Sequence, residues 1–232
     1  MPETGFLSIS DRITALPVIH GSGDFAVEVR DRILRMEPDC IAVPIPPSFQ
    51  DEVEEGVLDL PSVSIVAAEE TGFGSSDDSE SGGEFGGEEL EWSADEAEDE
   101  DAPWDAPDGE GADSFNYVPV DPCQPVIAAL RTAMEERIHR AFVDMEVDHF
   151  LGESAVYPDP YALKKVPLEA FAATLLTIAP KPRPLGQREA RIRWMAGELL
   201  RLEEKFERIV FVCSAMDWPW IRQACRRGPA GA

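Results

Sequence analysis

Apolar residues arrive in short unbroken runs at the start of the chain, separated by glycine, proline and one helical stripe. Ile13 to His20 is such a run, and Gly21-Ser22-Gly23 turns the chain after it. Phe25, Val29, Ile33 and Met36 then recur at helical spacing, with Asp24 placed to cap that helix and Pro38-Asp39 to stop it. A second run, Cys40 to Ile45, ends at Pro46-Pro47. A second helix is predicted from about Ser48 to Leu58, and Ser62 to Ala68 reads as a third strand rich in β-branched residues. Strand, helix, strand, helix, strand at this spacing predicts parallel pairing with right-handed crossovers.

The pattern then collapses. Residues 70–113 consist largely of Gly, Ser, Asp and Glu, with Phe85, Trp92 and Trp104 set singly among them. Too few apolar groups are present to offset the ordering entropy, and like charges add to the cost, so this stretch is predicted to be disordered. Its aromatic residues could anchor it in a basic, apolar groove of a partner. Periodicity returns at Asn116 with a short strand, a proline-bearing turn and a helix. A strand is expected over Ala141–Val147, an apolar helix over 167–178, and a long amphipathic helix over about 187–206. Ile209 to Cys213 forms a last strand and Trp218 to Arg227 a last helix. The fold expected is a three-layer α/β domain with a largely parallel sheet flanked by helices. Residues 1–69 and 114–232 form its two halves, and residues 70–113 are a long acidic insertion.

Charge sharpens this picture. The chain has 232 residues and a formal net charge of -26, from 46 acidic and 20 basic side chains. No Lys or Arg occurs between Asp51 and Asp113, so the excess acid belongs to one segment and not to the fold. Nucleic acid is not an expected partner, because neutralising phosphates needs Lys and Arg. Cys40, Cys123, Cys213 and Cys225 form no CxxC pair, and three of them fall in or beside apolar runs. They read as reduced thiols, which points to the cytoplasm. The first residues show no basic stretch leading into an apolar one, and no apolar run approaches membrane-spanning length, so a membrane is not expected either.

Candidate chemistry follows from topology. In an open α/β sheet, ligands bind beyond the carboxyl ends of the strands. This rule selects His20 with Gly21, Ser22 and Gly23, the stretch Pro44 to Pro46, Glu69-Glu70, Asp121, Asp144 and Glu146, and Ser214 to Asp217. Gly21-Ser22-Gly23-Asp24-Phe25-Ala26 formally matches a dinucleotide fingerprint, but the second strand ends Val43-Pro44-Ile45-Pro46 without the acid that would hold a ribose. No Walker lysine or nucleophile elbow is present, and no cofactor is implied. A metal would need several converging ligands, and the chain offers only His20, His139 and His149 beside its carboxylates. Asp217 is the carboxylate that topology favours as the partner of His20. It is also placed to cap the last helix, with Trp218 and Trp220 flanking the same edge.

Several motifs resemble the superfamily that includes TraB/PrgY-like, ChaN-like haem-binding and erythromycin-esterase-like proteins. They are Pro17-Val18-Ile19-His20-Gly21, Ile41-Ala42-Val43-Pro44, Arg188-Glu189 with Met195-Ala196, and Ile209-Cys213 leading into Ser214-Ala215-Met216-Asp217. The resemblance implies an α/β fold and an active edge built from a histidine, a glutamate ending the second strand, and a second histidine. Pro44 stands where the glutamate would be and Asp217 where the second histidine would be. The implied function is therefore a non-catalytic or vestigial domain that binds a protein or small molecule, or acts as a scaffold or regulator. The alternative is an atypical metal-assisted hydrolase using His20 and Asp217 with Asp144 or Glu146.

Overall fold

The computed structural model describes residues 5–69, 115–152, 156–178 and 184–228. Their arrangement is α/β, with a four-stranded parallel sheet in the order β1-β6-β2-β5 flanked by helices. The strands are β1 (Ile13–Val18), β2 (Cys40–Val43), β5 (His139–Phe142) and β6 (Ile209–Ser214). β2 and β6 are buried along nearly their whole length, as expected of parallel strands covered on both faces.

Each helix has a local cause. In α1 (Gly23–Met36) the buried positions Phe25, Ala26, Val29 and Ile33 form one stripe. Its cap is Ser22, whose hydroxyl accepts from the Phe25 N–H, in place of the expected Asp24. Asp24 instead lies in the first turn, where it meets Lys164. Gly21 precedes this cap with φ at 73°, a conformation costly for a side chain. α3 (Pro125–Glu135) packs beside α1, and α4 (Leu168–Ile178) joins them. The α4 contacts are an edge-on Phe25–Phe171 pair at 5.3 Å and a two-bond Arg32–Glu169 ion pair. α5 (Gly186–Glu203) and α6 (Trp218–Arg227) pack on each other. The chain steps from β1 to β2 to β5 in one direction and returns to β6 in the other. Right-handed crossovers therefore put α1 and α3 on one face and α5 on the opposite one.

Two expectations need correction. Ser64–Glu69 (β3) is not a parallel strand of the main sheet; it pairs antiparallel with β4 (Phe115–Val120) in a separate two-stranded sheet. Its exposure alternates, with Ile65 outward and Val66 against the core, whereas a strand inside a parallel sheet is buried on both sides. Its inner face rests on α2 (Gln50–Leu58), where a side chain on Gly56 would press on Ser64 Oγ at 3.1 Å and on Val120 at 3.3 Å. The fifth strand is also short. It starts at His139 and ends at Phe142, and the expected Ala141–Val147 strand continues only as a loop.

Asp51 to Asp59 and Glu69 belong to the described residues, while the expectation of disorder over 70–113, with Phe85, Trp92 and Trp104, lies outside them. The two ends of that insertion are nonetheless adjacent, because Glu69 and Phe115 are register partners in the hairpin. A two-residue Asn-Gly turn joins such strands without strain. Replacing residues 70–114 with Asn-Gly should therefore leave thermal unfolding cooperative with a midpoint no lower than the parent's. A broadened transition or a lower midpoint would show that the insertion contributes packing.

Candidate functional site

A cavity of about 710 Å³ opens at the carboxyl edge of the parallel sheet. Its position follows from topology. β1 and β6 are neighbours in register from Ile13↔Ile209 to Val18↔Ser214, yet the helices that follow them go to opposite faces. The strand ends are left uncovered at that point, which is where open α/β sheets bind ligands. His20 enters from the end of β1, Ser214, Met216 and Asp217 from β6, Pro44 and Ile45 from β2, and Asp144 from beyond β5. The apolar wall includes Phe49, Val118, Val126 and Ile127.

The segment after β5 roofs the cavity and is held from two sides. The Asn116 amide donates to the Val147 and Asp148 carbonyls and accepts from the Phe150 N–H. From α5, Gln187 donates to the His149 carbonyl and accepts from the Leu151 N–H at 2.9 Å. Closer to the sheet, the Val143 and Asp144 amides donate to the Val43 and Ile45 carbonyls, at 3.0 and 3.2 Å, which carries Asp144 into the crevice.

Two ion pairs cross the polar end. Arg191 is 9 % exposed and Asp144 2 %. Arg191 Nε donates to Asp144 Oδ1 at 3.1 Å, Nη2 donates to Oδ2, and the Phe150 ring lies 4.6 Å from the guanidinium carbon. One turn earlier on α5, Arg188 Nε donates to Asp217 Oδ1 at 2.8 Å and Nη2 to the Met216 carbonyl at 3.1 Å. Burial pushes the Asp144 carboxyl up, against the downward pull of Arg191. The pair is thus bought against its desolvation, as is common for buried ion pairs.

His20 is exposed and lines the cavity, outside the core. Burial lowers its imidazole below the ordinary value; Asp217 opposes this and Arg191 adds to it. The ring is therefore neutral near pH 7. Ser214 accepts from the Met216 N–H at 3.3 Å. Burial raises the Tyr157 phenol, and the nearby Ser214 hydroxyl opposes the rise.

The strand-end rule assembles His20, Asp144, Glu146, Ser214 and Asp217 around one space. It does less well elsewhere. Gly21, Ser22 and Gly23 do not line the cavity; the Gly21 N–H is taken by the Gln124 side chain at 2.8 Å, and Ser22 caps α1. Glu146 is exposed, its carboxylate accepting from the Ser48 N–H and hydroxyl. Asp217 makes no side-chain cap to α6; its Oδ1 accepts from Arg188 instead. Trp218 and Trp220 do not line the cavity either. Trp218 is 1 % exposed, covered edge-on by Phe6 from the N-terminal segment at 5.3 Å. Asp121 accepts from the Cys123 N–H in the turn before α3, and Glu69 ends the separate hairpin. His139 stacks on Phe206, away from the cavity, whereas His149 lines it. Among the described residues no three His, Cys, Asp or Glu converge as a metal site, and no helix is long and apolar enough to cross a membrane.

Sequence reasoning missed Arg191, Gln124 and Tyr157. One signal was present: Arg188 and Arg191 sit three apart on an amphipathic helix and so share a face. Comparison with protein-family models, with characterised proteins and with solved structures finds no match to this chain.

Two measurements follow from this geometry. Arg191→Met leaves a buried carboxylate unpaired and should destabilise the fold by about 3–5 kcal/mol, whereas Asp144→Leu with Arg191→Met should recover most of that loss. Urea unfolding of the parent, single and double variants reads both. By NMR, the His20 ring should titrate below about 6.5. Asp217→Asn should lower its midpoint further, because Asp217 favours the imidazolium.

Proposed function

We propose that this chain is a binding module whose ligand site is the carboxyl-edge cavity, with no catalytic role for the ion pairs around it. One observation carries this reading: of the three carboxylates that topology offers to His20, Asp217 is engaged by Arg188 and Asp144 by Arg191, both from α5, and Glu146 is turned to the Ser48 N–H and hydroxyl. A general base must be able to take a proton from the reacting group. A carboxylate bound to a guanidinium is a poor base, and His20 has no hydrogen-bonded carboxylate to orient it. What remains is a preformed, partly apolar space with fixed polar groups at one end, which is the form of a small-molecule site.

A relationship to the TraB/PrgY, ChaN-like and erythromycin-esterase-like superfamily belongs to the same proposal. It is supported by His20, Arg188-Glu189 and Met195-Ala196, with Pro44 and Asp217 as the positions where catalytic function would have been lost. The α5 motif then acquires a physical role, since Arg188 neutralises the substituted aspartate.

Screening small organic fragments by their effect on the His20 ring resonance should yield ligands, and Val118→Trp, which narrows the cavity, should weaken them. A screen without hits, or hits insensitive to Val118→Trp, would defeat the reading. p-Nitrophenyl ester hydrolysis, with or without zinc or manganese, should be unchanged in His20→Ala. A tenfold loss there would favour the metal-assisted hydrolase instead.

A further inference from the structure

The polar end of the cavity carries one unfilled donor and one unfilled acceptor of opposite charge. Arg191 commits Nε and Nη2 to Asp144, and its Nη1 makes no hydrogen bond although the residue is nine-tenths buried. Asp217 commits Oδ1 to Arg188, and its Oδ2 accepts none. Gln124 uses its oxygen on the Gly21 N–H and leaves its amide N–H groups unpaired at the same cavity. His20 feels both poles, raised by Asp217 and lowered by Arg191, which puts the imidazole within electrostatic reach of each. These atoms have no protein partner and belong to residues that line the cavity, so a ligand there can complete their hydrogen bonding.

The charge balance narrows the ligand. Arg188 and Arg191 are matched by Asp217 and Asp144, so the paired groups contribute no net charge, and the exposed Glu146 carboxylate, held by Ser48, adds one negative charge that further disfavours a free anion. A chain of net charge -26 repels free anions at long range and attracts cations without selectivity. A molecule that carries both signs and no net charge avoids the repulsion and satisfies both open groups. The lining also has an apolar part, in which Phe49, Val118, Val126, Ile127 and Met145 border the same space.

We propose that the cavity binds a small zwitterion with an apolar body, an α-amino acid bearing a large apolar side chain. Its carboxylate meets Arg191 Nη1 and the Gln124 amide, its ammonium meets Asp217 Oδ2, and its side chain lies along the apolar wall. This rests on the binding-module reading and adds the ligand class.

The test uses the full chain and four probes: L-phenylalanine, L-leucine, 3-phenylpropionate, which lacks the ammonium, and 2-phenylethylamine, which lacks the carboxylate. Binding is followed by calorimetry and by the His20 ring resonance. L-Phenylalanine and L-leucine should bind, and each single-charge analogue should bind about tenfold or more weakly than L-phenylalanine, the equivalent of one charge-assisted hydrogen bond. Asp217→Asn should weaken L-phenylalanine by a similar factor and should not weaken 3-phenylpropionate, because it removes a negative charge and uncovers Arg188. The comparison among ligands on the parent protein needs no variant, so a poorly folding substitution does not blunt it. If the analogues match L-phenylalanine, the zwitterion proposal is overturned while the cavity stands as a binding site. If neither amino acid binds, the proposal is also overturned, and the fragment screen separately decides whether the cavity binds anything.

Discussion

β6 enters the sheet between β1 and β2, with both of its edges hydrogen-bonded in parallel, and the rest of the structure is arranged around that insertion. A strand in this position must be apolar on both faces, and all but the last residue of Ile209–Ser214 is buried. The return from β5 to β6 reverses the direction of winding and so sends α5 to the face opposite α1 and α3. The same reversal opens the crevice between the ends of β1 and β6. The strand that holds the sheet together therefore also creates the cavity.

Once that crevice exists, α5 determines its chemistry. Arg188 and Arg191 reach two strand ends from one helical face, and each meets an aspartate there. Desolvation of Asp144 outweighs the pull of its partner, so this pair is poor support for stability, and a hydrophobic replacement of both members is tolerated by the same physics. The roof over 147–151 is clamped beside them from β4 and α5.

The two-stranded hairpin plays a different part. Its outer face leaves Ile65 and Tyr117 each 66 % exposed, while its inner residues Val66 and Val118 pack against the core. It brings the ends of the acidic insertion together at Glu69 and Phe115 and contributes Val118 and Asn116 to the cavity. A segment that carries much of the chain's charge is thus attached at a point where its entry and exit are neighbours, beyond the parallel sheet.

The sequence by itself located β1, β2 and β6 of the parallel sheet and part of its carboxyl edge. Runs such as Ile13–Val18 and Ile209–Cys213 are short, apolar and set between turns and helices, the mark of buried strands, and the strand-end rule needs only their direction to gather His20, Asp144, Ser214 and Asp217. The tertiary structure decided pairing and partners. Strand order and the antiparallel turn of β3 depend on contacts between residues far apart in the chain, and a run of β-branched residues does not say which neighbour it will meet. Asp217 reads locally as a helix cap, and Trp218 beside it as a cavity wall. Arg188, 29 residues away, takes the carboxylate, and Phe6, at the opposite end of the chain, covers the indole. A charged or aromatic side chain is committed by whatever the fold brings within a few ångströms of it, and that distance is not written in the order of the residues.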